Sequence, residues 1–462
     1  MALTTDTVLT GAPVATETGR PRSHWIDDWR PEDPTFWETT GKRIARRNLW
    51  FSIFSEHLGF SVWTMWSVFV LFLGPEYGFD PGQKFLMTTL PAAAGSLLRL
   101  PYTFAVAKIG GRNWTIISSA LLLLPCFMAA AVIEPGVSFG TMLAIATVAG
   151  VGGGNFSSSM ANIDSFFPQR LKGWALGLNA GGGNLGVAVV QLVGLLVLET
   201  AGPDHPRILL GIYIPLVVVA ALCAAVWMDN LTCATNEKRA MRDVMHDRHT
   251  YIMSFLYIGT FGSFIGYGFA FGQVLLVQFP EYYDTPVRAA YVTFLGPLLG
   301  SLIRPVGGWL SDKLSGSAVT FWNFLAMAIG AGIVLAASQT ESLPLFIVGF
   351  VTLFVLSGIG NGSTYKMIPA IFAAKARAAT AAGADPDAEA AKARRLSGAL
   401  IGIAGAVGAF GGVLVNVALR QSFLSSGTGD GAYIGFIAFY VACLAVTWYV
   451  YRRPSRTGLE GV

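Results

Sequence analysis

Two arginines, Arg99 and Arg304, stand inside long apolar runs, with no acidic residue within a dozen positions of Arg99. A guanidinium is planar, permanently charged and rich in fixed donors, so it can hold two oxygens of a small flat anion at once. In hydrocarbon such a charge costs about 2.5–3.5 kcal/mol even on insertion scales, and it is tolerated where it faces a watery path or a partner. The two arginines also stand in matching segments, Gly95-Ser96-Leu97-Leu98-Arg99 and Gly300-Ser301-Leu302-Ile303-Arg304, 205 residues apart. Two such charges, duplicated, suggest one small anion held between two related halves.

The elements that must position them are apolar helices. The chain is 53% hydrophobic and only 13% charged, which excludes an ordinary soluble domain. Twelve candidate spans lie between residues 49 and 452, predicting an all-α membrane protein of two pseudo-symmetric six-helix halves. The predicted organisation is a cytoplasmic tail (1–48), a first half (49–229), a cytoplasmic linker (230–248), a second half (249–452) and a cytoplasmic tail (453–462). Asn155 and Asn361, in related glycine-rich segments, repeat almost the same offset, at 206 residues. Two such halves with the substrate at their interface are a secondary-transporter plan. The fifth and eleventh spans are unusually rich in glycine. Gly181, Gly183, Gly186, Gly408 and Gly411 are expected to let helices approach closely, and Asn179 and Asn184 to offer amide donors. The alanine-rich stretch 374–395 reads as a long cytoplasmic loop, partly helical at most.

Basic residues gather in one set of loops, such as Arg43/Arg46/Arg47, Lys108/Arg112 and Lys375/Arg377. The alternate set carries Glu76, Asp80, Glu134, Glu199 and Asp204. The positive-inside rule then places both termini in the cytoplasm. Basic groups dispersed at helix ends do not make a nucleic-acid surface. Four cysteines scattered singly give neither a disulfide framework nor a metal site. Five separated histidines argue against a membrane enzyme, so no catalytic residue, metal or cofactor is expected. A receptor is disfavoured by the duplicated halves. The polar N-terminal forty residues read as a tail rather than a cleaved leader.

At these residues the chain resembles the nitrate/nitrite porter family of the major facilitator superfamily, and within it the NarK-type exchangers. The likeness runs through Asp28-Trp29-Arg30-Pro31-Glu32-Asp33-Pro34, both arginine segments, Asn155-Phe156-Ser157-Ser158-Ser159, the run at 179–186, Tyr257 with Thr260-Phe261-Gly262, and the run at 402–412. The resemblance implies transport of nitrate and nitrite across a bacterial inner membrane by a monomer. It assigns Arg99 and Arg304 to the anion, Phe156 and Phe261 to its two faces, Asn184 and Tyr257 to polar support, and Phe60 to an aromatic wall.

The chain departs from that pattern in three places. Glu56 and His57 stand where such exchangers are typically apolar, and Glu56 shares a helical face with Phe60. Either group in a transport path is a candidate proton carrier; the alternative is that Glu56 pairs with a basic neighbour. Asp164 and Lys366, near the cytoplasmic ends of the fourth and tenth spans, are candidates for an ion pair that closes that side. Gly405 stands about where related exchangers carry a serine. The leading expectation is nitrate–nitrite exchange by alternating access, with nitrate–proton symport through Glu56 or His57 as the alternative.

Overall fold

The computed structural model of the chain describes residues 24–234, 238–283, 285–453 and Val462. The start of the predicted first tail (1–23) and most of the predicted second tail (454–461) lie outside the described residues. The fold is a bundle of long helices: α1 (Lys42–Thr64, continued by Trp66–Phe72), α2 (Pro81–Ile109), α3 (Gly111–Val132), α4 (Phe139–Phe166), α5 (Gln169–Ala201), α6 (Arg207–Trp227), α7 (Arg248–Gln278), α8 (Pro286–Leu314), α9 (Gly316–Gln339), α10 (Leu343–Ala381), α11 (Pro386–Ser426) and α12 (Asp430–Arg452). Among the described residues, ten of these, α3 to α12, are long and apolar enough to cross a bilayer. The two that fall short, α1 and α2, are the helices that carry Glu56, His57 and Arg99. Their polarity is turned inward, where other helices cover it.

Helix boundaries follow local chemistry. Asp80 accepts from the Gln83 amide at 2.8 Å while the Gln83 side chain accepts from the Asp80 amide at 3.0 Å, a capping box ahead of Pro81. Gly110 (φ 96°) makes the turn from α2 to α3, and Ser315 (φ 82°) makes the matching turn from α8 to α9, again 205 residues on. The 374–395 stretch is not a long loop. Alanine is the strongest helix former, so α10 continues to Ala381. The chain turns in four residues, and Asp385 caps α11 by accepting from the Asp387 amide at 3.1 Å.

Two-residue strands, β1 (Trp25–Ile26) and β2 (Asn230–Leu231), pair in parallel and tie the start of the described chain to the stretch after α6. Asp229 anchors the same corner, accepting from Arg47 at 2.5 Å and from Asn48 at 3.0 Å. A helix at Lys238–Met245 follows. The described chain ends lie at one end of the bundle: His249 hydrogen-bonds Tyr451 at 2.8 Å, and Arg452 sits over the Phe321 ring.

The two halves are joined from mid-bundle toward the opposite end. Thr88 donates to Asn416 at 3.1 Å, Phe85 stacks on Phe423 at 5.6 Å, and Arg420 donates to the Gly82 carbonyl at 3.1 Å. Gln191 of α5 donates to the Gly268 carbonyl of α7 at 2.8 Å, and Trp63 meets Phe269 edge-on.

Four of the five glycines singled out for packing do stand at close approaches. A methyl group on Gly183 would collide with Glu56, one on Gly186 with the His57 carbonyl, and one on Gly408 with the Tyr257 ring. On Gly411 it would lie 2.9 Å from the Gly262 Cα. Gly181 is the exception, because nothing lies within 4 Å of the position its methyl would take. Gly411→Val is therefore expected to lower the melting temperature in detergent, at a cost of about 1–3 kcal/mol from overpacking. Gly181→Ala should leave it unchanged or raise it by the helix-propensity difference of up to about 1 kcal/mol. Intrinsic-fluorescence melts of both variants check this.

Candidate functional site

Glycine brings the backbone of α4 against α2 where Arg99 lies: a methyl on Gly153 would stand 2.7 Å from the Gly95 Cα. The Gly153 carbonyl thereby becomes reachable, and Arg99 Nε donates to it at 3.2 Å. The second half repeats the close backbone approach, with Gly358 against the Gly300 carbonyl. Arg99 Nη1 crosses to the other half and donates to the Gly405 carbonyl of α11 at 2.8 Å. Its Nη2 has no hydrogen-bond partner among the described residues, and the whole side chain is buried.

Aromatic faces complete its surroundings. The guanidinium carbon lies 4.6 Å from the Phe156 ring centre, 4.9 Å from that of Phe261 and 5.6 Å from that of Trp63. Each such contact is worth about 0.5–2 kcal/mol when desolvated, which offsets part of the burial cost without adding a charge. Phe156 and Phe261 come from different halves and stand 6.0 Å apart, inclined by 30°. Phe60 packs edge-on to Phe156 at 6.1 Å. Tyr257 stacks on Phe261 at 5.3 Å, and its hydroxyl accepts from Arg304 Nη2 at 3.3 Å. Arg304 Nη1 is buried without a partner among the described residues, beside the Tyr365 ring at 5.7 Å.

A continuous chain of contacts thus joins Phe60, Phe156, Arg99, Phe261, Tyr257, Arg304 and Tyr365. Among the described residues no carboxylate lies within 4.0 Å of either guanidinium. Asn184 is buried with both amide atoms unpartnered among the described residues, one residue along α5 from the Gly183–Glu56 approach.

Other predicted residues separate. His57 turns away to the Gly182 carbonyl of α5 at 3.1 Å. Asp164 and Lys366 do not pair with each other in this structure. Asp164 binds Lys172 at 2.8 Å and Lys366 binds Asp312 at 2.8 Å, each within its own half. A partner just across the following turn or on the adjacent helix outcompetes one across the interface. Asn179 is engaged with Glu56 at 2.5 Å rather than free to serve an anion.

Sequence reasoning missed Ser159, which donates to the same Glu56 oxygen, as well as Trp63, Tyr365 and the Gly405 carbonyl. Tyr365 lies 206 residues after Ser159, so the duplication itself could have drawn attention to both.

Residues 49–415 match the family described as the Major Facilitator Superfamily. The chain belongs to that superfamily. Within it, the chain is 38% identical to the nitrate/nitrite transporter NarU of Salmonella typhimurium, over 93% of this chain and 97% of that protein. It is 37% identical to NarU of Escherichia coli, over 93% and 96%. It is 34% identical to the probable nitrate/nitrite antiporter NarK2 of Thermus thermophilus, over 93% and 97%. Membership of the NarU/NarK family follows. Solved structures give the same fold. A D-xylose–proton symporter superposes with a TM-score of 0.64 at 14% identity, covering 90% of this chain and 98% of its own. The nucleoside transporter NupG superposes with 0.61 at 11%, covering 88% and 100%.

For this family member the Tyr257–Arg304 hydrogen bond is the most separable element of the site. Tyr257→Phe keeps the ring stack on Phe261 and removes the acceptor that orients Arg304. Its expected outcome is a loss of about tenfold in affinity for nitrate used as probe, the lower end for one hydrogen bond to a charged group, read by titration calorimetry.

Proposed function

We propose that the chain exchanges nitrate for nitrite across a bacterial inner membrane, with both termini in the cytoplasm and one polypeptide as the working unit. The observation that carries this reading is the pair of buried guanidiniums, one from each half, with unpartnered donors and no carboxylate in contact among the described residues. The names of the family relatives supply the substrate class, nitrate and nitrite.

The chemistry of the lining fits that class. A planar monoanion takes in-plane hydrogen bonds from Arg99 Nη2 and Arg304 Nη1, while Phe156 and Phe261 cover it without offering a competing charge. Alternation between access states is the motion expected of two halves joined mainly on one side of the site. Exchange follows from electrostatics. With the site empty, two guanidiniums face each other at low dielectric, so the return step without an anion is unfavourable. The runner-up, nitrate–proton symport, draws its support from Glu56 at the same level of α1.

Arg99→Lys and Arg304→Lys keep the charge but lose the planar fork, and each is expected to reduce nitrate–nitrite exchange in proteoliposomes to background while inserting normally. Wild-type vesicles should take up labelled nitrate only when loaded with nitrite or nitrate. Uptake into anion-free vesicles driven by a pH gradient alone would instead establish symport. Normal exchange by either lysine variant would remove that arginine from the site.

A further inference from the structure

Glu56 is completely buried, yet it touches no cation among the described residues. One carboxylate oxygen, Oε2, accepts from Ser159 Oγ of α4 and from Asn179 Nδ2 of α5 at 2.5 Å; Asn179 also donates to Ser159 at 2.8 Å. The other oxygen, Oε1, has no partner among the described residues. The side chain is pressed into place by α5, since Gly183 leaves no room for even a methyl group beside it.

The duplication says where this carboxylate points. Glu56 precedes Phe60 by four residues, and Tyr257 precedes Phe261 by four. Gly183 closes on Glu56 as Gly408 closes on Tyr257, and Gly186 and Gly411, each three residues further on, meet the next peptide in each case, at His57 and Ile258. Ser159 occupies in α4 the place of Tyr365 in α10, both 206 residues apart and both beside these groups. Tyr257 hydrogen-bonds Arg304. Glu56 therefore occupies, in the first half, the place from which Tyr257 reaches its arginine in the second. Among the described residues it bonds neither Arg99 nor Arg304, and it lies one turn of α1 from Phe60, which packs on the Phe156 ring beneath Arg99.

We propose that Glu56 is the anion site's own counter-charge, held off Arg99 by Ser159 and Asn179, and that it sets how tightly the transported anion is bound. When ionised it leaves the pocket one net positive charge, which a single monoanion completes. When protonated it leaves two, and the anion is held more strongly and released more slowly. The titratable and charged groups around it are His57 on its own helix, turned to Gly182, Arg99 from α2, Arg304 from α8 and Tyr365 from α10. The proposal rests on the reading of Arg99 and Arg304 as the anion site. It extends that reading to an acidic residue, and to Ser159 and Asn179 as positioning residues acting through it.

The test measures the nitrate affinity of the full-length protein in nanodiscs by titration calorimetry, at about pH 6 and about pH 9, with exchange in proteoliposomes alongside. Glu56→Gln is isosteric, keeps an acceptor for Ser159 and Asn179, and mimics the neutral acid. It is expected to bind nitrate about tenfold more tightly than wild type at the alkaline pH, to lose any dependence of affinity on pH, and to exchange more slowly. Ser159→Ala frees the carboxylate to turn toward Arg99 and should weaken nitrate binding several-fold. The double variant should return to the Glu56→Gln value. Loss of packing alone weakens binding in both single variants, so opposite signs separate the two explanations. Equal or weaker binding by Glu56→Gln at alkaline pH would overturn the proposal, as would a pH profile unchanged from wild type. If wild type itself shows no nitrate binding that Arg99→Lys abolishes, the failure lies with the site reading and not with Glu56.

Discussion

The structure is organised around two guanidiniums that have to stay charged in the middle of an apolar bundle. Water would solvate them at no cost to the fold, and a fixed carboxylate in contact would neutralise them, but under the proposed function either would abolish their grip on a passing anion. The protein instead meets the burial cost with neutral groups: peptide carbonyls at Gly153 and Gly405, aromatic faces at Phe156, Phe261 and Trp63, and a tyrosine hydroxyl at Tyr257. That choice dictates much of the surrounding sequence. Carbonyls in a helix are reachable from outside only if neighbouring backbones come close, which glycine permits at Gly95 and Gly153, beside Arg99.

The same demand explains why α1 and α2 are the least apolar helices of the bundle. Buried polar groups lower their hydropathy, and a bilayer would not accept them alone. They are stable there because α4, α5 and α11 cover them. Membrane insertion and site construction are thus one problem in this chain.

Much of this arrangement was legible in the sequence, and the reason is duplication. A guanidinium in hydrocarbon is rare enough to be noticed once, and the 205-residue repeat of Arg99 in Arg304 turned a curiosity into a site with two sides. Spans α3 to α12 followed from hydropathy. What the sequence did not reveal depended on partners distant along the chain. Nothing near Glu56 indicates that Ser159, 103 residues on, and Asn179, 123 residues on, converge on one of its oxygens. Asp164 and Lys366 bind elsewhere in this structure for the opposite reason, since opposite charges, Lys172 and Asp312, lie within their own halves. In the 374–395 stretch, charge and proline suggested a loop, but alanine propensity and the Asp385 cap restrict the break to four residues.

The repeat is also where the two halves part company, and that difference has a physical consequence. If both arginines were backed by tyrosine, the site would carry two positive charges and favour a trapped anion. If both were backed by glutamate, it would be neutral and hold none. One of each leaves an intermediate field. A carrier needs that intermediate strength, because an anion bound too tightly in either access state halts the cycle as surely as one bound too weakly. Under the proposed role of Glu56, the asymmetry between Glu56 and Tyr257 is a setting of the pocket's charge rather than an imperfect copy. It lies in α1 and α7, the helices that hold Phe60 and Phe261, both packed against the Phe156 ring that lies under Arg99.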